Sequence, residues 1–413
     1  MDGDPVSSPA ANIAIRVTGS AERALREGHP WVFADAIRKQ SRSGQPGDLA
    51  VVFDRKGRFL AVGLYDPGSL IRVRVLQHLR PATIDRAWFV QRIARSVEAR
   101  RSWFGSDTTG YRLVHGGSDG LPGLVVDRYD GTLVVKLYSM AWLRYLDDLQ
   151  TAILQVMHAE RIVLRLSRIV ARQSARGIGA ARPMDGSILS GAGLDRPVVF
   201  AENGLKFEVD PVRGHKTGFY LDQRENRKIV EGMSNGLDVL NVFAYTGAFS
   251  VYAARGGARS AVSIDASRPA LAVAERNFAL NLDVPAVRAC AHSTAAADAF
   301  DALVGLAESR KLFDLVVLDP PSFTSRRASI ANALAAYGHL VRLGLRVLRV
   351  GGTLVMASCS SQVGGDQFFR TVHETAFEVG RRLCEIARTG HASDHPIGFR
   401  ESEYLKCLFA RAD

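Results

Sequence analysis

Cysteine is scarce: 413 residues contain four, Cys290, Cys359, Cys384 and Cys407. None forms a CxxC pair and none has zinc-ligand spacing, which excludes a disulfide framework and a structural metal site. No apolar run approaches the roughly 18 uncharged residues that a membrane span requires. The N-terminal "MDGDPVSSPAANIAI" carries acids where a signal peptide needs a basic region ahead of an apolar core. The expectation is a cytoplasmic protein with no membrane partner and no metal. The chain also lacks GxGxxG, so a pyrophosphate-bearing dinucleotide is a poor candidate ligand. There is no tandem repeat, and the alanine-rich "STAAADAF" is the one biased tract.

What is present is positive charge. Lys and Arg total 53 against 42 acids, a net charge of +11, in a chain that is 47% hydrophobic and 23% charged. Such a balance belongs to a folded globular protein with an affinity for polyanions. Six arginines (Arg161, Arg165, Arg168, Arg172, Arg176 and Arg182) stand in a segment without an acid. The plain reading is a solvated basic face; RNA contact is the functional one.

Three stretches differ in texture. Residues 12–84 hold short alternating runs, "DLAVVFD", "FLAVGLYD" and "LIRVRVLQ", between turns, which predicts a small β-rich module with Trp31 and Phe33 in its core. Residues 85–204 read as an α+β domain. An amphipathic helix begins at "IDRAWFVQRI", a hairpin turns at Asp130-Gly131, and a helix and the strand "RIVLRLS" follow. Residues 205–413 alternate near-continuous apolar strands with helices, the pattern of a doubly wound α/β sheet. In such sheets ligands bind at the carboxyl ends of the strands.

Four strand ends carry polar residues there. "NVFAYTGAFS" places Gly247 where backbone can pass close to a ligand ahead of a helix N-terminus. Asp265 ends the next strand, about 20 residues on, where a carboxylate can bind both hydroxyls of a ribose; capping the following helix is its bland alternative. "DLVVLDPPSF" ends in Asp319-Pro320-Pro321-Ser322-Phe323, a rigid loop able to hold a planar base by carbonyls and an aromatic. Together these predict S-adenosylmethionine-dependent methyl transfer to a nucleic acid base. The last is "TLVMASCSSQ", which sets Cys359 beside the Asp-Pro-Pro loop. C5 of cytosine takes a methyl group only after a thiolate has attacked C6, so a thiol has a purpose there. Asp319 is the candidate to protonate N3. The bland reading of Cys359 is core filler, the role assigned to Cys290, Cys384 and Cys407.

With "GHKTGFYLDQRENR", "LNVFAYTGAFSVYAARGGA", "SIDAS", "FDLVVLDPPSF", "SCS" and "SDHP…ESEYLKC", the chain resembles the bacterial 23S ribosomal RNA cytosine-C5 methyltransferases over nearly its whole length. "GHPWVFADAI" and "SDGLPGLVVDRYDG" match the family's first two domains. The resemblance implies an N-terminal PUA domain, a central strand-strand-helix domain and a Rossmann-like methyltransferase domain. It implies that Asn241, Phe243, Tyr245, Thr246 and Gly247 form the cofactor loop, that Asp265 holds the ribose, and that Asp298 and Pro320 adjoin the cofactor. Cys359 becomes the nucleophile with Asp319 beside it, and Lys216, Gln223, Arg224, Pro321 and Phe323 fall on the substrate side. Ser322 stands where related RNA cytosine methyltransferases carry a second cysteine. Ser361-Gln362 follow "SCS" where the family often has histidine, and Arg400 replaces a common proline.

The partner implied is 23S ribosomal RNA, with dimerisation left open. Two alternatives remain at this level: a methyltransferase acting on an exocyclic amine, and a non-catalytic RNA-binding protein. His395 in "DHP" reads as a turn residue or a base.

Overall fold

In the computed structural model, which describes residues 12–175, 183–323 and 330–413, the chain divides into two units. The first comprises the chain up to Val198 with residues 209–219 and 396–400; the second comprises residues 199–208, 220–395 and 401–413. The boundary expected at 84/85 thus lies inside the first unit.

Alternating sequences build the first unit's six-stranded sheet. Its strands are β1 (Ile13–Val17), β2 (Trp31–Phe33), β3 (Ile37–Gln40), β4 (Leu49–Phe53), β5 (Phe59–Tyr65) and β6 (Ile71–His78), in the order β2-β6-β5-β4-β1-β3. Between β1 and β2 runs α1 (Gly19–Arg26), capped by Thr18, whose hydroxyl accepts from Ala21 N. Next come α2 (Arg86–Glu98), β7 (Gly110–His115), β8 (Leu124–Tyr129), β9 (Thr132–Leu137), α3 (Leu146–Val156), β10 (Arg161–Leu166), α4 (Arg168–Ala175) and β11 (Ile188–Ser190). They make a five-stranded sheet ordered β11-β10-β9-β8-β7, and the β8–β9 hairpin turns through Asp130 at φ 55°.

One expectation about this unit is corrected, and one bland reading fails. Trp31 is half-buried and Phe33 is 39% exposed, because alternation along the short strand β2 buries only Val32 between them. Their rings join His29 and Phe399 in a surface cluster, with Trp31 and Phe399 centroids 4.9 Å apart. The basic segment is also not one solvated face. Arg168 and Arg172 are exposed, but Arg165 is buried, donating to Asp185 at 3.0 Å and to the carbonyls of Pro211 and Gly214. Arg176 and Arg182 lie outside the described residues.

The second unit opens with the hairpin of β12 (Val198–Glu202) and β13 (Leu205–Val209). After α5 (Arg224–Met233) it alternates β14 (Asp238–Val242), α6 (Ala248–Arg255), β15 (Ser260–Asp265), α7 (Arg268–Ala279), α8 (Pro285–Ala289), β16 (Ala291–Ala296), α9 (Ala299–Glu308), β17 (Phe313–Leu318), α10 (Ile330–Arg346), β18 (Leu348–Ser358), α11 (Gly365–Glu378), β19 (Leu383–Thr389) and β20 (Lys406–Ala412). The sheet order is β16-β15-β14-β17-β18-β20-β19. Strands β14 to β18 run parallel, and β20 is antiparallel to both neighbours. Leu240, Val242, Val316, Leu318, Leu354 and Met356 join Tyr337, Leu340 and Phe368 in a core on the α10–α11 side.

A buried ion network ties the hairpin to α5 and α6. Arg227 donates to both oxygens of Glu202, at 2.9 and 2.7 Å, and Tyr252 OH donates to Glu202 at 3.0 Å. Glu202 is fully buried, so neutralising it strands the guanidinium in a dry site. Glu202→Gln should lower stability by about 3 kcal/mol, read as a shift in the urea midpoint. A loss below about 1 kcal/mol would show that the pair is not a principal constraint.

Candidate active site

The carboxyl ends of β14, β15, β17 and β18 lie along one edge because these strands are parallel and adjacent, in the order β15-β14-β17-β18. The chain reverses direction of winding between β14 and β17, the switch point where such sheets bind ligands.

After β14 the backbone makes an uncommon turn. Phe243 at φ 62° and Tyr245 at φ 48° both occupy the left-handed region, where each non-glycine residue costs about 1–3 kcal/mol. The surrounding bonds that hold it there are specific. Ala244 N donates to the Ile264 carbonyl at 2.9 Å, and Tyr245 N donates to Asp265 Oδ2 at 2.8 Å. Asn277 Nδ2 donates to the Thr246 carbonyl at 2.9 Å. Gly247, at φ 74°, caps α6 without a side-chain bond, and a Cβ there would stand 2.6 Å from that of Ala274. Only glycine satisfies both demands. The Tyr245 ring meets that of Tyr220 edge-on at 5.2 Å, and Phe243 packs against the core. Asn241 is turned inward: its Nδ2 donates to Ser250 Oγ at 3.0 Å, and Oδ1 is buried with no hydrogen-bond partner.

Asp265 accepts from Tyr245 N on one oxygen and from Ser267 N, at 2.9 Å, on the other. It does not cap α7; Ser267 does, accepting from Ala270 N. Its carboxylate is therefore fixed in orientation and keeps lone pairs on both oxygens. Asp298 is exposed and caps α9, accepting from Phe300 N at 2.8 Å and from Asp301 N at 3.3 Å.

Asp319 and Pro320 follow β17, Pro320 buried, Pro321 and Ser322 exposed. Phe323 turns back onto the core, its ring 5.0 Å from that of Tyr337. Across the strand gap, Cys359 Sγ lies 3.9 Å from the Pro320 carbonyl, so the structure brings the thiol to the Asp-Pro-Pro loop. Ser358 Oγ donates to Tyr337 OH at 2.8 Å and accepts from Ser360 N. Burial pushes the Tyr337 phenol up to about 12, so it stays protonated beside Cys359 and Asp319, whose charges push the same way.

The remaining thiols are unlike Cys359. Burial raises Cys290 to about 11 and holds Cys407 well above the ordinary range, whereas Cys384 is exposed on β19 rather than in a core.

Residues expected on the substrate side are dispersed. Arg224 is buried and donates to both oxygens of Asp394, at 3.1 and 2.9 Å. Gln223 is buried and accepts from Asn226 at 2.5 Å. His395, also buried, shares a 2.9 Å bond with Asp394. These are internal to the second unit, and the dense polarity of "GHKTGFYLDQRENR" reflects that network. Lys216 belongs to the first unit, where its carbonyl accepts from Lys136 Nζ at 2.7 Å.

The arrangement defines a class. A profile of S-adenosylmethionine-dependent methyltransferases matches residues 111–396 and one of PUA-like domains matches residues 15–78. The chain belongs to the S-adenosylmethionine-dependent methyltransferase family. It is 46% identical to a protein of Deinococcus radiodurans named ribosomal RNA large subunit methyltransferase, over 98% of this chain and 99% of that one. A Shewanella amazonensis protein named ribosomal RNA large subunit methyltransferase I is 37% identical, over 97% and 99%. Among solved structures, a methyltransferase complexed with SAH superposes with a TM-score of 0.82 at 21% identity, covering 96% of this chain and 99% of that one. That last likeness speaks to the fold alone.

The cofactor is S-adenosylmethionine, and the residues fit it. The α6 N-terminus has no side-chain cap in front of it, and Asp265 presents an oriented carboxylate beside it. Gly247→Ala forces a Cβ against Ala274 and a left-handed alanine. Cofactor affinity measured by calorimetry should fall about tenfold or more, given about 1–2 kcal/mol of backbone strain. Unchanged affinity would show that the loop tolerates the shift.

Proposed function

We propose that this protein methylates C5 of a cytosine in large-subunit (23S) ribosomal RNA, in the cytoplasm, through a covalent bond between Cys359 and C6. The observation that carries the reading is the thiol of Cys359 beside the Asp-Pro-Pro loop at the sheet's switch point. The names of full-length relatives support the RNA, and the net charge of +11 suits such a partner.

Asp265 would accept hydrogen bonds from both ribose hydroxyls, Phe243 to Gly247 would line the cofactor with Asn241 buttressing them, and Asp298 would adjoin the adenine. When bound, the cofactor supplies an electrophilic methyl group on a sulfonium. Pro320, Pro321 and Phe323 would shape the slot for the base. Asp319, in its protonated form, would donate a proton to N3, which draws electrons from C6. The Cys359 thiolate adds to C6, and the displaced electron pair gives C5 the character of an enamine carbon able to accept a methyl group. Loss of the C5 proton to a base then expels the thiolate from C6, and N3 returns its proton to the Asp319 carboxylate, which restores the ring.

Cys359→Ala should abolish methyl transfer to RNA, a fall of about 10³-fold or more as for loss of a covalent nucleophile, while cofactor affinity stays unchanged. Methylation near the wild-type rate would refute the nucleophile. RNA binding by the PUA-like region and the basic segment should be salt-sensitive. At about 0.7 per phosphate on a single strand, three contacts give a log-log slope near about −2; a flat dependence would contradict it.

A further inference from the structure

Charged residues are rarely fully buried unless paired, so a lysine inside the apolar run "YLKCLFA" calls for a reason. Lys406 opens β20 in register with Ser358 of β18 and is 4% exposed. Its Nζ donates to the Ser360 carbonyl at 2.5 Å and to the Val363 carbonyl at 2.8 Å. These two carbonyls belong to the turn that immediately follows Cys359. Among the described residues no carboxylate lies within salt-bridge distance of Nζ. An ammonium held in this way is a fixed positive charge one residue along from the thiol.

We infer that Lys406 is the positioning residue for Cys359: its ammonium pins the 360–363 turn and stabilises the Cys359 thiolate. This rests on the nucleophile reading given above.

The charges around the pair are mixed. Burial lowers the Lys406 ammonium to about 8, while negative charge at Cys359 and at Glu403 works against that fall. Attraction between two groups is mutual, so the ammonium that Cys359 favours also favours the thiolate. Tyr337 faces Cys359 from α10 as a neutral phenol, and Asp319 is a negative group acting on both Tyr337 and Cys407. Of these groups, Lys406 is the one whose charge promotes ionisation of the thiol. A free cysteine ionises near about 8.5, so at neutral pH only a few per cent would be nucleophilic without such help.

The test uses the full chain without RNA. Alkylation of each cysteine by iodoacetamide is followed across pH by peptide mass spectrometry. Lys406→Met should raise the apparent pKa of Cys359 by about one unit or more, cutting its rate at pH 7 about tenfold, with Cys384 unaffected. Loss of packing alone would not move the titration midpoint in that direction while leaving Cys384 unchanged. Should Lys406→Met fail to fold, the reciprocal arm decides. In Cys359→Ser, with lysines labelled at 13Cε, the Lys406 titration should move to lower pH. An unchanged Cys359 profile in folded Lys406→Met, or an unmoved Lys406 titration in Cys359→Ser, overturns the inference. Methylation that survives Cys359→Ala would defeat the nucleophile reading and leave this titration result standing, so the two failures are separable.

Discussion

The register of neighbouring parallel strands is the constraint from which the site follows. Val242 of β14 pairs with Leu318 of β17 and with Ile264 of β15, and Leu318 pairs with Met356 of β18. Because those pairs align, the residues that follow, Phe243, Asp265, Asp319 and Cys359, emerge on one edge of the sheet. A slip of one residue in β18 would turn Cys359 to the opposite face, since side chains alternate along a strand. The register is enforced from both faces by apolar side chains, including Leu240, Val316 and Met356 in the α10–α11 core. The antiparallel β20 extends the same sheet and delivers Lys406 opposite Ser358.

Order on that edge is maintained at a local expense. Two left-handed non-glycine residues, a buried amide oxygen on Asn241 without a hydrogen-bond partner and a buried lysine are all unfavourable taken singly. Tyr245 binds Asp265 through its backbone amide, and Lys406 binds the turn that follows Cys359. The strain at Tyr245 is held by Asp265, which accepts from its backbone amide, so the carboxylate and the turn after β14 fix each other. Such preorganisation removes the entropic penalty of arranging the loop when ligand arrives.

Much of this was readable in advance, and the failures have physical causes. The strands "LFDLVVLDPP" and "GGTLVMASCS" were legible because they are buried on both faces and continuously apolar, as β17 and β18 prove to be. The edge strand β16 overlaps the alanine-rich tract "STAAADAF" and is masked by it in the sequence. Its burial runs mostly exposed, so "AHSTAA" shows no apolar periodicity. Strand β19 is likewise mostly exposed and shows no clear apolar periodicity. In the N-terminal module Trp31 and Phe33 looked like core because aromatics usually are, but the β2 alternation puts them outward. Part of the polar density of "GHKTGFYLDQRENR" goes to an internal pair that sequence alone does not reveal, for Arg224 is buried and donates to both oxygens of Asp394. Lys406 was visible as a lone charge in an apolar strand, a signal of equal weight that passed unused.

The account stands or falls on whether a bond forms between Cys359 and a cytosine. RNA in which cytosines carry fluorine at C5, incubated with the protein and S-adenosylmethionine, cannot lose a proton from that carbon, so any adduct persists. The account predicts a denaturation-resistant protein–RNA complex with wild type, a cross-linked peptide containing Cys359, and no complex with Cys359→Ala. A wild-type protein that methylates ordinary RNA but yields no adduct on the fluorinated RNA, or a cross-link at another residue, would contradict it.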